Sequence, residues 1–260
     1  MPERYFLYID ILGFRELMKT PDRVEELYRR IARLNVHTDD DFTAILFSDT
    51  LLVYAHEIWN GAPSQALMWL IEFSQNLHYE LFSQDIYFRS FITYGEFKHE
   101  QKGSIEYYYG DALLRCYDVE KDLKCAGTFL DRKLETYCDI FHFTPYTKDA
   151  SFVHVMQTLD DVSLPHEFYP ISGEHLEMTG MEPWVAYMFY YMRNIWQNSQ
   201  SLSLPEHVRQ KFQNTWLCLS AKHAGLCRAL VEADFIFENV VELDWAQEFA
   251  KIGTEDGAWE

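Results

Sequence analysis

The chain has 260 residues, 48% of them hydrophobic and 17% aromatic, enough for one sizeable core with a helical appendage. Its formal charge of −19 excludes nucleic acid as a general partner, because phosphate contacts draw on clusters of Lys and Arg. The same excess is what the solubility of a bacterial cytosolic protein would produce on its own.

Met1-Pro-Glu-Arg4 leads directly into an apolar strand, which leaves no room for a signal peptide. The richest apolar run, Trp184 to Met192, stops at Arg193, short of the ~18–20 residues a membrane span needs. A soluble, cytoplasmic protein with no membrane partner is expected. The five cysteines, at 116, 125, 138, 218 and 227, are odd in number and lack CxxC spacing. They read as reduced, buried small hydrophobes.

The first element is a strand, with Tyr5 to Ile9 apolar throughout, as in a strand buried on both faces. Asp10 follows at its C-terminal edge, and Gly13 lets the backbone turn into a helix near Phe14. Helical sequence runs to about Leu34, broken near Thr20-Pro21-Asp22, with Asp22 as the expected N-cap. Val24, Leu27, Ile31 and Leu34 then carry the apolar period. Residues 43–48 and 50–55 read as a hairpin around Asp49. A helix over 63–83 enters at Pro63-Ser64. A strand over 86–95, a polar turn over 98–104, a strand over 105–109 and a helix from Gly110 to about Leu123 complete the first part. This order predicts an α+β fold with a ferredoxin-like βαββαβ core, an antiparallel sheet with helices on one face.

Beyond about residue 150 the composition shifts. Residues 157–182 are rich in Pro and Gly, and residues 184–199 and 205–232 read as helices. The expected division is a catalytic domain over 1–150 and a mainly helical extension over 151–260 packed on that core. Tyr187, Phe189, Tyr190, Tyr191 and Trp196 are expected to pack against the sheet or at a subunit interface.

Two aspartates carry the chemistry. Asp10 ends a buried strand and Asp49 sits at a hairpin turn, and carboxylates brought together in an apolar setting call for a divalent cation. Each has an ordinary alternative: a helix cap for Asp10, a turn residue for Asp49. His37, His56, His78, His99 and His142 show no ligand spacing, and no Gly-x-Ser-x-Gly elbow supports a hydrolase.

Four blocks in order extend the pattern: Ile9-Asp10-Ile11-Leu12-Gly13-Phe14, Ser48-Asp49, Arg89-Ser-Phe-Ile-Thr-Tyr-Gly95-Glu96, and Tyr109-Gly110-Asp-Ala-Leu-Leu-Arg-Cys-Tyr117. Over residues 4–148 they resemble the catalytic domain of class III nucleotidyl cyclases. The variant is most similar to the stand-alone bacterial cyclases of anti-phage cyclic-pyrimidine (Pycsar) systems. The resemblance implies two Mg²⁺ or Mn²⁺ ions per site, held by Asp10, Asp49 and the backbone carbonyl of Ile11. One ion would lower the pKa of the ribose 3′-hydroxyl and the other would shield the triphosphate. The turn Leu12-Gly13-Phe14, backed by the helix that follows, would offer N–H groups to a phosphate. Arg89 would bind either a phosphate or a structural carboxylate.

Departures from the family narrow the expectation. The lysine that reads a purine is Ile45 here, and its acidic partner is Tyr107, which favours UTP or CTP over ATP and GTP. The slots of the ribose-orienting asparagine and the transition-state arginine are Leu114 and Asp118. Lys121 shares their helix face and is the candidate replacement, while Arg115 is expected to face away. The resemblance further implies a homodimer with sites at the interface, and a 3′,5′-cyclic nucleotide read by a separate effector in anti-phage defence. Two other readings stay open: a degenerate cyclase-like module that binds a nucleotide or a protein partner without turnover, and a polymerase-like palm, which lacks a GG(D/E)EF segment here.

Overall fold

Strand β1 (Glu3–Leu12) is apolar on both faces because sheet residues and helices cover it on both sides, and its residues 5–9 are buried. The computed structural model describes residues 1–34 and 41–252, so His37 lies outside the described residues. After β1 come α1 (Phe14–Leu17), α2 (Pro21–Arg33), the hairpin β2 (Phe42–Phe47) and β3 (Thr50–Ala55), α3 (Pro63–Phe82) and β4 (Tyr87–Glu96). A second hairpin, β5 (Lys98–Lys102) and β6 (Ile105–Tyr109), precedes α4 (Asp111–Glu120), β7 (Gly127–Asp131), β8 (Phe143–Pro145) and β9 (Ala150–Val153).

Among the described residues, seven strands form one sheet in the order β2-β3-β1-β4-β7-β9-β8. Its first four strands are antiparallel neighbours, and the order β2-β3-β1-β4 is the ferredoxin-like arrangement. Strand β7 joins β4 in parallel. The fold is α+β with a mainly antiparallel sheet, as expected.

Register and alternation assign the faces. Tyr8 and Asp10 of β1 stand opposite Phe91 and Arg89 of β4 and opposite Leu52 and Thr50 of β3, so these side chains share one face. Helix α4 lies over that face, with Tyr117 meeting Tyr8 edge-on at 5.6 Å. Helix α3 covers the other face, where His78 rests on Phe88 at 4.2 Å. Its buried stripe Ala66, Leu70, Leu77 and Leu81 follows the helical period. Helix α2 is joined to α3 by Arg30 and Glu80, and buries Leu27 and Ile31. Burial holds the His78 imidazole neutral, its pKa down to about 3.

Three local expectations are corrected. Asp22 is not the cap of α2: Thr20 occupies that position, Pro21 takes the first turn, and Asp22 sits inside the turn, where a negative charge suits the helix N-terminus. Residues 98–104 are not a turn. Residues 98–102 form β5, paired with β6 in a separate two-stranded sheet, and only Gly103-Ser104 turns. The segment lacks apolar alternation because its strand character comes from the backbone ladder with β6. The helix expected over 205–232 breaks at His223, whose buried ring bonds Ser163 at 2.9 Å.

The chain divides into two compact units, residues 1–81 with 86–155, and residues 82–85 with 156–260. The second contains α5 (Glu174–Thr179), α6 (Glu182–Gln200), α7 (Glu206–Lys222), α8 (Ala224–Glu232), α9 (Ala246–Lys251) and a short parallel pair, β10 (Ile171–Ser172) with β11 (Val241–Glu242). Phe189 stacks on Phe237 at 5.2 Å and meets Trp245, while Trp196 meets Trp216. Tyr187 and Tyr191 are buried. Phe189 and Trp196 thus have aromatic partners inside the helical unit. All five cysteines are free and buried. Among the described residues, no helix is long and apolar enough to cross a membrane.

The turn into α4 is sterically fixed. Gly110 has φ 151°, and a Cβ there would meet the Glu96 carbonyl oxygen at 2.1 Å. Gly110→Ala should therefore lower unfolding free energy by about 2–4 kcal/mol, from overpacking and backbone strain together, read as a drop in urea midpoint. An unchanged midpoint would show that the turn relaxes freely.

Candidate active site

Asp10 is placed by the β1 ladder. It pairs in register with Thr50 on one side and Arg89 on the other, at the end where the hairpin turns. Ser48 makes that turn with a positive φ of 56°, and Asp49 follows it. The Ile11 N–H donates to the Asp49 carbonyl at 2.9 Å, which fixes the hairpin end beside β1. The N–H and C=O of one strand residue project to the same side, so the Ile11 carbonyl also faces the Asp49 end. Asp10, Asp49 and the Ile11 carbonyl are thus brought together by the ladder. The ordinary alternative for Asp10, a helix cap, does not hold: the cap position of α1 is Gly13, with no side-chain cap bond.

Arg89 resolves to the carboxylate reading. Its Nε and Nη2 donate to Asp10 Oδ2 at 3.2 and 2.7 Å, and Nη2 also donates to Glu120 Oε1. Nη1 donates to the backbone carbonyls of Glu120 and Leu123 at 3.1 and 2.9 Å. Its five N–H groups make five hydrogen bonds to four acceptor atoms, so the guanidinium has no donor left for a phosphate. Arg89 therefore leaves the phosphate-binding set and joins the support of Asp10.

Electrostatics at Asp10 are mixed. Burial pushes its pKa up, Arg89 pulls it down, and Glu120 and Asp49 add to the rise, with burial the largest cause. Three carboxylates, Asp10, Asp49 and Glu120, stand against one guanidinium. Two negative charges are left over, the deficit a hard divalent ion would balance.

Among the described residues, no three His, Cys, Asp or Glu side chains converge to hold a metal ion. The donors at hand are two carboxylates and a carbonyl. That is an oxygen-only half-site, and Mg²⁺ suits it because it keeps few protein ligands and takes the rest from phosphates and water. The donor chemistry therefore fits, with Arg89 already using one oxygen of Asp10.

The remaining expected residues lie around this centre. Gly13 turns the chain with φ 75°, but α1 is a single turn of four residues, so the helix dipole expected behind Leu12-Gly13-Phe14 is small. Any phosphate contact there would rest on backbone N–H groups alone. Ile45 lies on edge strand β2 opposite Leu52, on the same sheet face as Asp10. Tyr107 lies on the separate hairpin, where it donates to Glu100 at 2.6 Å and stacks with Tyr109. Leu114 is 60% exposed. Lys121 caps the C-terminus of α4, exposed and paired with Asp118 at 3.1 Å. Arg115 donates to Asp131, a buried carboxylate that also accepts from Thr93 at 3.1 Å.

Glu120, Tyr8 and Thr50 were not singled out from the sequence. A signal existed for Glu120, four residues after buried Cys116 and thus on the covered face of α4.

No protein-family model matches the sequence, and no curated protein matches it. Solved structures with a similar course of the chain include the adenylyl cyclase CyaB from P. aeruginosa, with TM-score 0.41 and 10% identity over 58% of this chain and 91% of that one. The guanylyl cyclase Cya2 gives 0.42 and 15%, over 58% and 90%. The guanylate cyclase domain of RhGC from Catenaria anguillulae, in complex with GTP, gives 0.42 and 10%, over 58% and 93%. Likenesses of this size carry no information on substrate or catalysis, so the chemistry has to be read from this chain's own side chains.

The raised pKa of Asp10 has a consequence for stability. A carboxyl whose pKa is higher folded than unfolded binds more protons in the folded state, so stability falls as pH rises from 3.8, the ordinary value, through the folded pKa. Asp10→Asn cannot titrate. Its stability relative to wild type should improve as pH rises through that window, measured by urea unfolding at a series of pH values. A flat difference would show that Arg89 cancels the burial effect.

Proposed function

We propose that this chain is a nucleotide cyclase acting on a pyrimidine nucleoside triphosphate, UTP or CTP, with Asp10, Asp49 and the Ile11 carbonyl as the metal-holding set. The observation that carries the reading is the convergence of those three donors at the end of β1, with two negative charges unbalanced. In the reaction the ribose 3′-oxygen forms a bond to the α-phosphorus as the bond from that phosphorus to the bridging oxygen breaks. Pyrophosphate leaves, and the 3′-hydroxyl proton passes to solvent or to a nearby base. Bound Mg²⁺ or Mn²⁺ would supply Lewis-acid charge at both the hydroxyl and the triphosphate.

This chain's residues prepare that step. Asp10 and Asp49 orient oxygen donors, Arg89 and the apolar core hold Asp10 in place, and the backbone at Leu12, Gly13 and Phe14 offers N–H groups near the phosphates. Lys121, exposed on α4, suits a site completed by a second copy of the chain, so a homodimer with shared sites is part of the proposal. Ile45 and Tyr107 supply an apolar and an aromatic surface where a purine edge would leave donors and acceptors unpaired, at ~1–3 kcal/mol each. The product would be a cyclic pyrimidine nucleotide read by a separate effector in anti-phage defence, made in the cytoplasm.

Incubation with each of the four triphosphates and Mn²⁺, with mass detection, should yield a cyclic product from UTP or CTP. Asp10→Ala and Asp49→Ala should each reduce it by at least about 10²-fold, the scale for losing one group that stabilises transition-state charge. Faster cyclisation of ATP or GTP would overturn the pyrimidine choice and leave the two-aspartate site standing.

Shared sites predict complementation. An equal mixture of Asp10→Ala and Lys121→Ala chains should regain about a quarter of wild-type activity, because half the dimers are mixed and each has one intact site. No recovery at any ratio would point to sites within one chain.

A second reading is favoured by the full commitment of Arg89 and the exposed Leu114 and Asp118 on α4: a cyclase-like domain that binds a nucleotide or a protein partner without turnover. Nucleotide binding without product in the first experiment would select it.

A further inference from the structure

The polar groups around Asp10 form a hydrogen-bonded chain. The Tyr8 hydroxyl donates to Glu120 Oε2 at 3.2 Å. Arg89 Nη2 donates both to Glu120 Oε1 and to Asp10 Oδ2. Asp10 stands opposite Thr50 in the β1–β3 register, and Thr50 follows Asp49 in the chain. The hydrogen-bonded chain therefore ends across the ladder from the residue beside the second aspartate. Each donor in it has an acceptor, so turning the Arg89 or Glu120 side chain would break a bond.

We propose that Glu120 is a positioning residue for the cation half-site, holding Arg89 between two carboxylates so that Asp10 keeps one oxygen free and aimed at the Asp49 side. The proposal rests on the metal-holding role given above to Asp10 and Asp49. Without Glu120, the Nη2 donor would have only Asp10 to bind, and the guanidinium would settle onto the carboxylate a cation needs. Tyr8 fixes the Glu120 carboxylate from its other oxygen, and so acts at one further remove. Glu120 comes from α4, the other members from β1 and β4, so the hydrogen-bonded chain also sets where that helix ends over the sheet.

The test is Mn²⁺ binding by the full chain without nucleotide, read from the electron paramagnetic resonance signal of free Mn²⁺. Circular dichroism and thermal melting serve as checks on folding. Partners of metal ligands usually change affinity by about 10–100-fold, so Glu120→Gln and Glu120→Asp should each weaken binding by about tenfold or more. Glu120→Asp keeps the charge and shortens the reach, so its loss would be one of geometry. Tyr8→Phe leaves charge and packing alike unchanged, and should weaken binding about fivefold, the worth of one hydrogen bond. Asp122→Asn, an exposed neighbour, removes the same charge as Glu120→Gln and should leave binding unchanged.

If Asp10→Asn abolishes binding while Glu120→Asp and Tyr8→Phe bind like wild type, the positioning role is overturned and the aspartate site stands. An equal loss in Asp122→Asn and Glu120→Gln, with Glu120→Asp unaffected, would reduce Glu120 to bulk charge and likewise overturn it. If wild type binds no Mn²⁺ at millimolar concentration, or Asp10→Asn binds unchanged, the metal reading and this proposal fall together.

Discussion

The ion pair between Asp10 and Arg89 is the interaction on which the rest of this unit depends. Asp10 follows five buried residues of β1, and a charge there would be untenable alone. Arg89 stands directly across the β1–β4 ladder and meets it with two donors. Breaking a pair in such a setting typically costs about 3–5 kcal/mol, because the surviving charge stays buried without a partner. The same guanidinium reaches two carbonyls at the end of α4. One side chain thus joins the middle of the sheet to the helix that covers it, and a site residue is also a structural one.

That dual use limits the chemistry. A guanidinium with every donor engaged cannot also clasp a phosphate, so the positive charge a triphosphate needs has to come from elsewhere. The chain as a whole carries −19. Around Asp10 the carboxylates outnumber the guanidinium, and a divalent ion is the compact way to reverse the local sign. The second buried acid of this face, Asp131, is handled differently: Thr93, Arg115 and the Lys133 N–H all serve it. Its partners complete it, so it reads as an anchor for α4. Two acids on the same face therefore have opposite roles, and the difference lies in how many donors reach each.

Much of the first unit was legible in the sequence because its signals are local. An apolar run closed by Asp10, a hairpin with Asp49 at its turn, and the 3.6-residue stripe of Leu27 and Ile31 each follow from the period of a single element. The ferredoxin-like order then follows from the succession of those elements. Strand β5 was not legible, since Lys98 to Lys102 has no apolar alternation and pairs through its backbone. The break at His223 was hidden for a related reason, since the buried ring is held by Ser163, sixty positions away.

The sequence by itself determined which residue types stand at the ends of which elements, and so singled out Asp10 and Asp49, to which the family resemblance added the Ile11 carbonyl. It left Arg89 undecided between a phosphate and a carboxylate. It also turned Arg115 away from Leu114 and Asp118 without naming its partner, because helical spacing says which residues share a face but not what that face meets. Only the tertiary structure decided these points. Arg89 finds Glu120 thirty-one positions along the chain, and Arg115 finds Asp131 only once α4 lies over the sheet. A side chain's partner is fixed by packing between elements, and no periodicity within one element contains that information.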